Sequence, residues 1–348
     1  MADQVPGLDL ERILPWFREH VDEVGSLTGE IIGHGRSNLT YRLRDNGRSW
    51  VLRRPPLSHV QATAHDMNRE FTILSALVDT DVPAPKPIAI CDDEAVNDAQ
   101  FYIMEYVEGL VPADPIEVKK RFSEEDRHRI GIELVDVLAG LHALVPDEIG
   151  LAGWGKPQGY LERQVRRFSQ QLESIRYRET EELDELARRL AKSIPAERRP
   201  GIVHGDYRLD NAILDDDGHI IAVLDWEMCT LGDSLADMGL LRMYWGESVG
   251  GEELSLAGTP VMTLSGFPSW DEARARYEEK SGADLSNLDF YTVLAHFKLG
   301  VILENMYKRF LGGGTVGAGF EGIGQQAVVL AKRGLAVADA SDMPELRS

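Results

Sequence analysis

Between Val203 and Glu227 the chain reads VHGDYRLDNAILDDDGHIIAVLDWE, and three polar residues in it are spaced for chemistry: Asp206, Asn211 and Asp225. A hydroxyl nucleophile needs a proton acceptor within hydrogen-bond reach, a task suited to the Asp206 carboxylate. Magnesium takes hard oxygen ligands, usually one or two from protein and the rest from phosphates and water, and Asn211 and Asp225 offer such oxygens. Together the three suit phosphoryl transfer. An acidic hairpin with solvated carboxylates is the plainer alternative.

The elements that must position these groups are short. Ile202-Val203 stops at His204-Gly205-Asp206. Ala212-Ile213-Leu214 is closed by Asp215-Asp216-Asp217-Gly218, and Ile220 to Leu224 delivers Asp225. Apolar runs of this length, bounded by Gly and Asp, read as strands and turns. Folded as a hairpin, they bring the Asp206–Asn211 loop towards Asp225. The five-residue step from Asp206 to Asn211 matches the kinase catalytic loop, where an Asp is followed by a metal-binding Asn.

HGDYRLDN, followed by VLDWE and TLGDSLAD, resembles the aminoglycoside phosphotransferase family, a branch of the protein-kinase-like fold. The variant is most similar to the kinase-like domain that some proteins carry fused to an acyl-CoA dehydrogenase, and the chain is too short to hold that dehydrogenase as well. The resemblance implies Asp206 as catalytic base, Asn211 and Asp225 as magnesium ligands, and Asp237 as a support for the catalytic loop. Where protein kinases carry Asp-Phe-Gly this chain has Asp225-Trp226-Glu227, as small-molecule kinases usually do.

Upstream, residues 27–32, 39–43 and 50–53 read as three strands, with Asp45-Asn46-Gly47 a hairpin turn. The loop Gly33-His34-Gly35-Arg36-Ser37-Asn38 sits where a glycine-rich loop would cover phosphates, so Gly33, Gly35 and Ser37 are candidate nucleotide contacts. On the third strand, alternation places Val51 and Arg53 on one face. The resemblance puts Arg53 where kinases use a lysine on the phosphates, with Glu70, in a helix expected over 60–78, as its partner. Arginine keeps its charge and grips phosphate in a planar fork, but is not equivalent to lysine. That substitution motivates a second reading of a different class: a nucleotide-binding regulator of the pseudokinase type. Met104 to Gly109 resembles the family's hinge, where the Glu105 carbonyl and the Val107 N–H would hold adenine.

The expected fold is α+β: a two-lobed protein-kinase-like fold, with a small antiparallel-sheet lobe over residues 1–107 and a larger, mainly helical lobe over 108–348. Helices are expected over 9–20, from Ser123 to His142, over 160–176, 179–192, 270–281, 287–310 and 322–337, with a frayed tail after Asp339. His142 reads as structural. Glu304 and Asn305 stand as acceptor-pocket candidates or plain helix-surface residues.

The 348 residues carry 37 Lys and Arg against 58 Asp and Glu, a formal charge of −21. That balance argues against nucleic acid and anionic membrane surfaces and favours solubility or a cationic ligand. Cys91 and Cys229 give neither a disulfide framework nor zinc spacing. The N-terminus lacks a signal-peptide pattern and no ~20-residue apolar run exists, so a cytoplasmic protein is expected. The implied reaction is ATP- and Mg2+-dependent phosphorylation of a small-molecule hydroxyl: an aminoglycoside-like antibiotic, a hydroxyacyl compound or another metabolite. An anionic acceptor would need a basic patch, and Arg163, Arg166 and Arg167 in YLERQVRRF are its candidates; the other reading is a solvated face countering the acids of 179–185.

Overall fold

The computed structural model describes residues 5–32, 38–57, 66–245, 260–313 and 322–348. They form two compact units: residues 1–110 with 221–229, and residues 111–220 with 230–348.

The first unit begins with α1 (Leu10–His20), capped by the Asp9 side chain on the Arg12 N–H and continuous through Pro15. Then come β1 (Thr28–Ile31), β2 (Leu39–Asp45) and β3 (Arg48–Arg54). The β2–β3 turn has positive φ at both Asn46 and Gly47, as a two-residue hairpin demands. After α2 (Met67–Leu77) come β4 (Pro87–Cys91), α3 (Glu94–Asn97) and β5 (Phe101–Glu105), completing an antiparallel sheet in the order β1-β2-β3-β5-β4. The four residues of α3 are too few to show periodicity in the sequence, though Asp93 caps it.

Alternation along β3 decides what each face does. Trp50 and Leu52 enter the core with Ile13, Phe17, Leu43, Phe101 and Ile103, and Phe17 meets Trp50 edge-on at 5.0 Å. Arg54, on that side too, is buried and donates to the Gly7 and Asn97 carbonyls. Val51 and Arg53 take the opposite face, so the arginine side chain leaves the apolar core.

The second unit contains α4 (Pro115–Arg121), α5 (Glu124–Ala143), α6 (Tyr160–Ile175), α7 (Glu181–Lys192) and β6 (Gly201–Val203). β7 (Ala212–Leu214) and β8 (Ile220–Val223) follow, and along β8 the chain passes into the first unit. It returns at β9 (Thr230–Gly232), antiparallel to β6, and continues through α8 (Leu235–Tyr244), α9 (Trp270–Ser281), α10 (Leu288–Leu311), α11 (Ile323–Ala340) and α12 (Pro344–Arg347). α5 and α9 start with reciprocal capping boxes, Ser123 with Asp126 and Ser269 with Glu272. α10 is buried from Leu288 to Phe297 save Asp289 and packs on α6, α7, α8 and α11, a long apolar rod at the centre of the unit.

Two expectations are corrected here. The tail is not frayed: α12 inserts a fully buried Leu346 and packs on α7 and α11. Glu304 is neither surface nor open to a pocket. It is buried on α10 and paired with Arg178, which also donates to the Gly324 carbonyl.

Candidate phosphotransfer site

In the second unit the loop after β6 is held by one buried carboxylate. Asp237, in the first turn of α8, accepts the His204 N–H at 2.6 Å and the Gly205 N–H at 2.8 Å. His142, at the end of α5, reaches the same carboxylate with Nε2 at 3.3 Å, while its Nδ1 meets the Tyr277 hydroxyl at 2.7 Å. Burial alone would raise the Asp237 pKa. The His142 hydrogen bond and charge, His204 and the Gly205 N–H outweigh it and hold the group below the ordinary aspartate value. An ionised Asp237 thus clamps two successive amides and fixes the backbone just ahead of Asp206. The structural role expected of His142 is this one: it orients the clamp.

Asp206 and Asn211 come together within that loop. Asn211 Nδ2 donates to the Asp206 carbonyl at 2.8 Å and to its Oδ2 at 2.9 Å, which orients the carboxylate. Tyr207, fully buried, anchors the loop to α5 through the Leu134 carbonyl at 2.7 Å. The Asp206 side chain keeps 28% of its exposure, so a substrate can reach it. Asn211 Oδ1 has no hydrogen-bond donor among the described residues, leaving a hard oxygen available. Arg208, to which the sequence reading assigns no role, lies with Nε 3.5 Å from Asp206 and pairs Asp210 at 3.0 Å while stacking on Tyr244.

In the first unit Arg53 collects three carboxylates. Glu70 lies 3.3 Å away, Asp225 3.1 Å and Glu227 3.6 Å. Burial works against the Arg53 charge, and these acids more than offset it, raising its pKa above the ordinary arginine value. Burial likewise pushes Glu70 up, with Arg53 pulling the other way. The Arg53–Glu70 pairing implied by the resemblance is therefore present, and Asp225 and Glu227 join it. Arg53 Nε, buried, has no acceptor among the described residues, a donor left over for an anion.

Asp225 sits at φ +66°, a left-handed conformation that Asp tolerates better than most residues. Trp226 holds that bend through its indole N–H to the Val223 carbonyl at 2.8 Å. Arg53 takes Asp225 Oδ1, and no donor among the described residues takes Oδ2. Asn38 donates to Glu227 at 3.0 Å. Neither Asn38 nor Glu227 is legible as part of this cluster from spacing alone, 189 residues apart.

Glu105 ends β5, its side chain bonded to the Lys86 N–H at 3.0 Å, and the Val107 N–H that follows meets no protein acceptor among the described residues. Gly33, Gly35 and Ser37 lie outside the described residues. No group of three or more His, Cys, Asp or Glu poised to hold a metal occurs among the described residues. Magnesium does not require one, since phosphates and water supply most of its shell.

An α+β fold with a five-stranded antiparallel sheet, a mainly helical remainder and this loop defines a protein-kinase-like phosphotransferase fold. The family model described as the phosphotransferase enzyme family, APH, matches residues 28–291, and the chain belongs to that family. A solved structure of a candidate aminoglycoside phosphotransferase from Ralstonia eutropha is 32% identical, with a TM-score of 0.80 over 94% of this chain and 98% of that one. Aminoglycoside phosphotransferase APH(4)-Ia, solved with AMP-PNP and hygromycin B, shares the fold at 14% identity and a TM-score of 0.62, over 94% and 99% of the two chains. Acyl-CoA dehydrogenase family member 11 is 30% identical over 316 residues in Rattus norvegicus and 32% over 314 residues in Homo sapiens. Those matches cover 88% and 87% of this chain, which spans about two fifths of the length of these curated relatives, 40% in each case. No helix among the described residues is long and apolar enough to cross a membrane.

Proposed function

We propose that this chain transfers the γ-phosphoryl group of ATP to a hydroxyl of a small molecule. Asp206 takes the hydroxyl proton. The substrate oxygen forms a bond to the γ-phosphorus, the bond from that phosphorus to the bridging β–γ oxygen breaks, and ADP leaves. Arg53 holds the nucleotide's phosphates, positioned by Glu70. Gly33, Gly35 and Ser37 cover those phosphates, and the Glu105 carbonyl and Val107 N–H bind the adenine edge. Asn211 and Asp225 hold magnesium, which when bound neutralises the charge on the β- and γ-phosphates.

The observation that carries this reading is the Asp206 loop: a partly exposed carboxylate oriented by Asn211, on a backbone clamped by buried Asp237. The unused donor on Arg53 and the unused oxygens on Asn211 and Asp225 support the nucleotide and metal assignments. The family supports phosphotransfer as the reaction type.

The test is ATP consumption against a panel of hydroxyl compounds, with and without magnesium, for the natural chain and Asp206→Asn. We expect at least one acceptor to be phosphorylated, and Asp206→Asn to lower kcat by ~10²-fold or more with ATP affinity little changed. Turnover within a few-fold of the natural chain removes Asp206 as the base. Tight ATP binding with no phosphotransfer to any acceptor replaces this reading with the regulator.

A further inference from the structure

Where α6 packs on α10 in the second unit, positive charge gathers in an acidic chain. Lys298 lies on α10, just past its fully buried stretch, and is itself only partly exposed. Its ammonium stands 5.5 Å from the centre of the Phe168 ring on α6. The guanidinium of Arg167, one residue earlier on α6, stands 5.7 Å from the same ring. Two cations therefore gather on one buried aromatic side chain. Arg166, the residue before Arg167 on α6, is exposed.

Neither Lys298 nor Arg167 has a carboxylate within ion-pair distance among the described residues. Nearby cations do find partners: Arg176 takes Asp184, Arg178 takes Glu304, Arg189 takes Glu185 and Asp339, and Arg242 takes Asp289. Of the acids of 179–185, Asp184 pairs with Arg176, Glu185 with Arg188 and Arg189, and Glu182 with Lys332; none pairs with the α6 arginines that sequence alone offers as their counter-charges.

Lys298 is nevertheless within electrostatic reach of Asp206 and Asp237. Burial lowers its pKa, Asp237 and Asp206 pull it back up, and Arg167 pushes it down again. Two like charges held near one ring repel each other, and an anion shared between them relieves both that repulsion and the lost hydration.

We propose that Lys298 and Arg167 form the binding site for an anionic group, a carboxylate or a phosphate, on the hydroxyl-bearing acceptor presented to Asp206. This rests on the phosphotransferase reading of Asp206. It selects an acceptor class against the sign of the whole molecule: net charge −21 favours cations at long range, while the local pair repels a polycationic antibiotic and attracts an acid. Phe168 supplies the apolar floor on which the lysine stem lies.

The experiment is calorimetric binding to the full chain loaded with magnesium and AMP-PNP. The probes are a medium-chain 3-hydroxy carboxylate, its neutral amide, glucose 6-phosphate, coenzyme A and the aminoglycoside kanamycin. At least one anionic probe is expected to bind, with affinity falling as salt rises. Lys298→Gln should weaken that probe about tenfold or more and Arg167→Gln less, while Lys298→Arg should retain most of it. Comparison among the carboxylate, phosphate-ester and coenzyme arms identifies which anion is read. If Lys298→Gln does not fold, as judged by its melting transition, the exposed Arg167→Gln substitution carries the test. The proposal falls if no anionic probe binds, if the amide binds as well as its acid, if both glutamine variants leave anion binding unchanged, or if kanamycin alone binds. Because binding is read rather than turnover, an inactive but anion-binding chain would count against Asp206 as base and not against this site.

Discussion

Arg53 concentrates the question of competence in one side chain. It is 8% exposed and faces Glu70, Asp225 and Glu227, so its removal is not a clean experiment on nucleotide binding. Arg53→Ala would leave Glu70 buried without its cation, a change of the kind that costs about 3–5 kcal/mol of stability. Arg53→Lys is the sharper probe. It keeps a positive charge beside Glu70 but gives up the planar fork and the Nε donor that no group among the described residues uses. We expect Arg53→Lys to weaken ATP about tenfold while leaving adenosine unchanged, measured by calorimetry on both ligands. Equal losses for the two would show that Arg53 shapes the site without touching phosphate.

Among the elements, α8 and α10 matter most to the loop, since α8 carries Asp237 and α10 backs it. They meet without side chains between them at one point. A methyl added at Gly239 would lie 2.3 Å from the backbone carbon of Tyr291, and backbone cannot swing aside. Tyr291 is itself tied to the start of α8, its hydroxyl donating to Asp233 at 2.7 Å. Gly239→Ala must therefore part the helices, and we expect a loss of about 1–3 kcal/mol in urea unfolding. Gly140 on α5 is the control: a methyl there meets nothing within 4 Å, so Gly140→Ala should be neutral or stabilising by up to about 1 kcal/mol through helix propensity. If Gly239→Ala behaved like the control, the close approach would not be what sets the spacing of α8 and α10.

For the molecule as a whole, stability against acid has an identifiable source in α10. His296 is buried, and its Nδ1–H donates to the Thr292 carbonyl at 2.8 Å. Burial lowers its pKa to about 4, with Arg333 and Arg242 pushing the same way and the Thr292 carbonyl opposing. Below pH 6.5 the unfolded chain binds a proton at this residue that the folded chain refuses until about pH 4. The unfolded state thus gains on acidification, and the contribution is present above pH 6.5 and lost across the window down to about 4. By pH 4 the loss is on the order of 3 kcal/mol. His296→Gln keeps an amide donor and cannot titrate, so its denaturation midpoint should vary less with pH in that window; an unchanged slope would assign the acid sensitivity elsewhere.

The Asp206 loop and most elements are readable in the linear chain because both are local properties. His204, Asp206 and Asn211 lie within eight residues of one another, and apolar periodicity marks α5, α9 and α10 to within a residue or two. Alternation alone put Val51 and Arg53 on one face of β3, and the hairpin turn at Asn46-Gly47 needed only its two residues. What spacing does not encode is which distant groups share a buried charge. Glu304 reads as a helix-surface acid until Arg178, 126 residues away, closes on it. Glu227 and Asn38 likewise acquire their roles from residues far off in the chain. Leu346 is one apolar residue in a polar tail until α7 gives it a place to bury. Lys298 reads as an ordinary helix lysine, and only the packing of α10 on α6 sets it beside Arg167 and Phe168 and within reach of Asp206. A side chain's charge is written in its residue type, but its partner and its cost of desolvation belong to the surroundings that folding assembles.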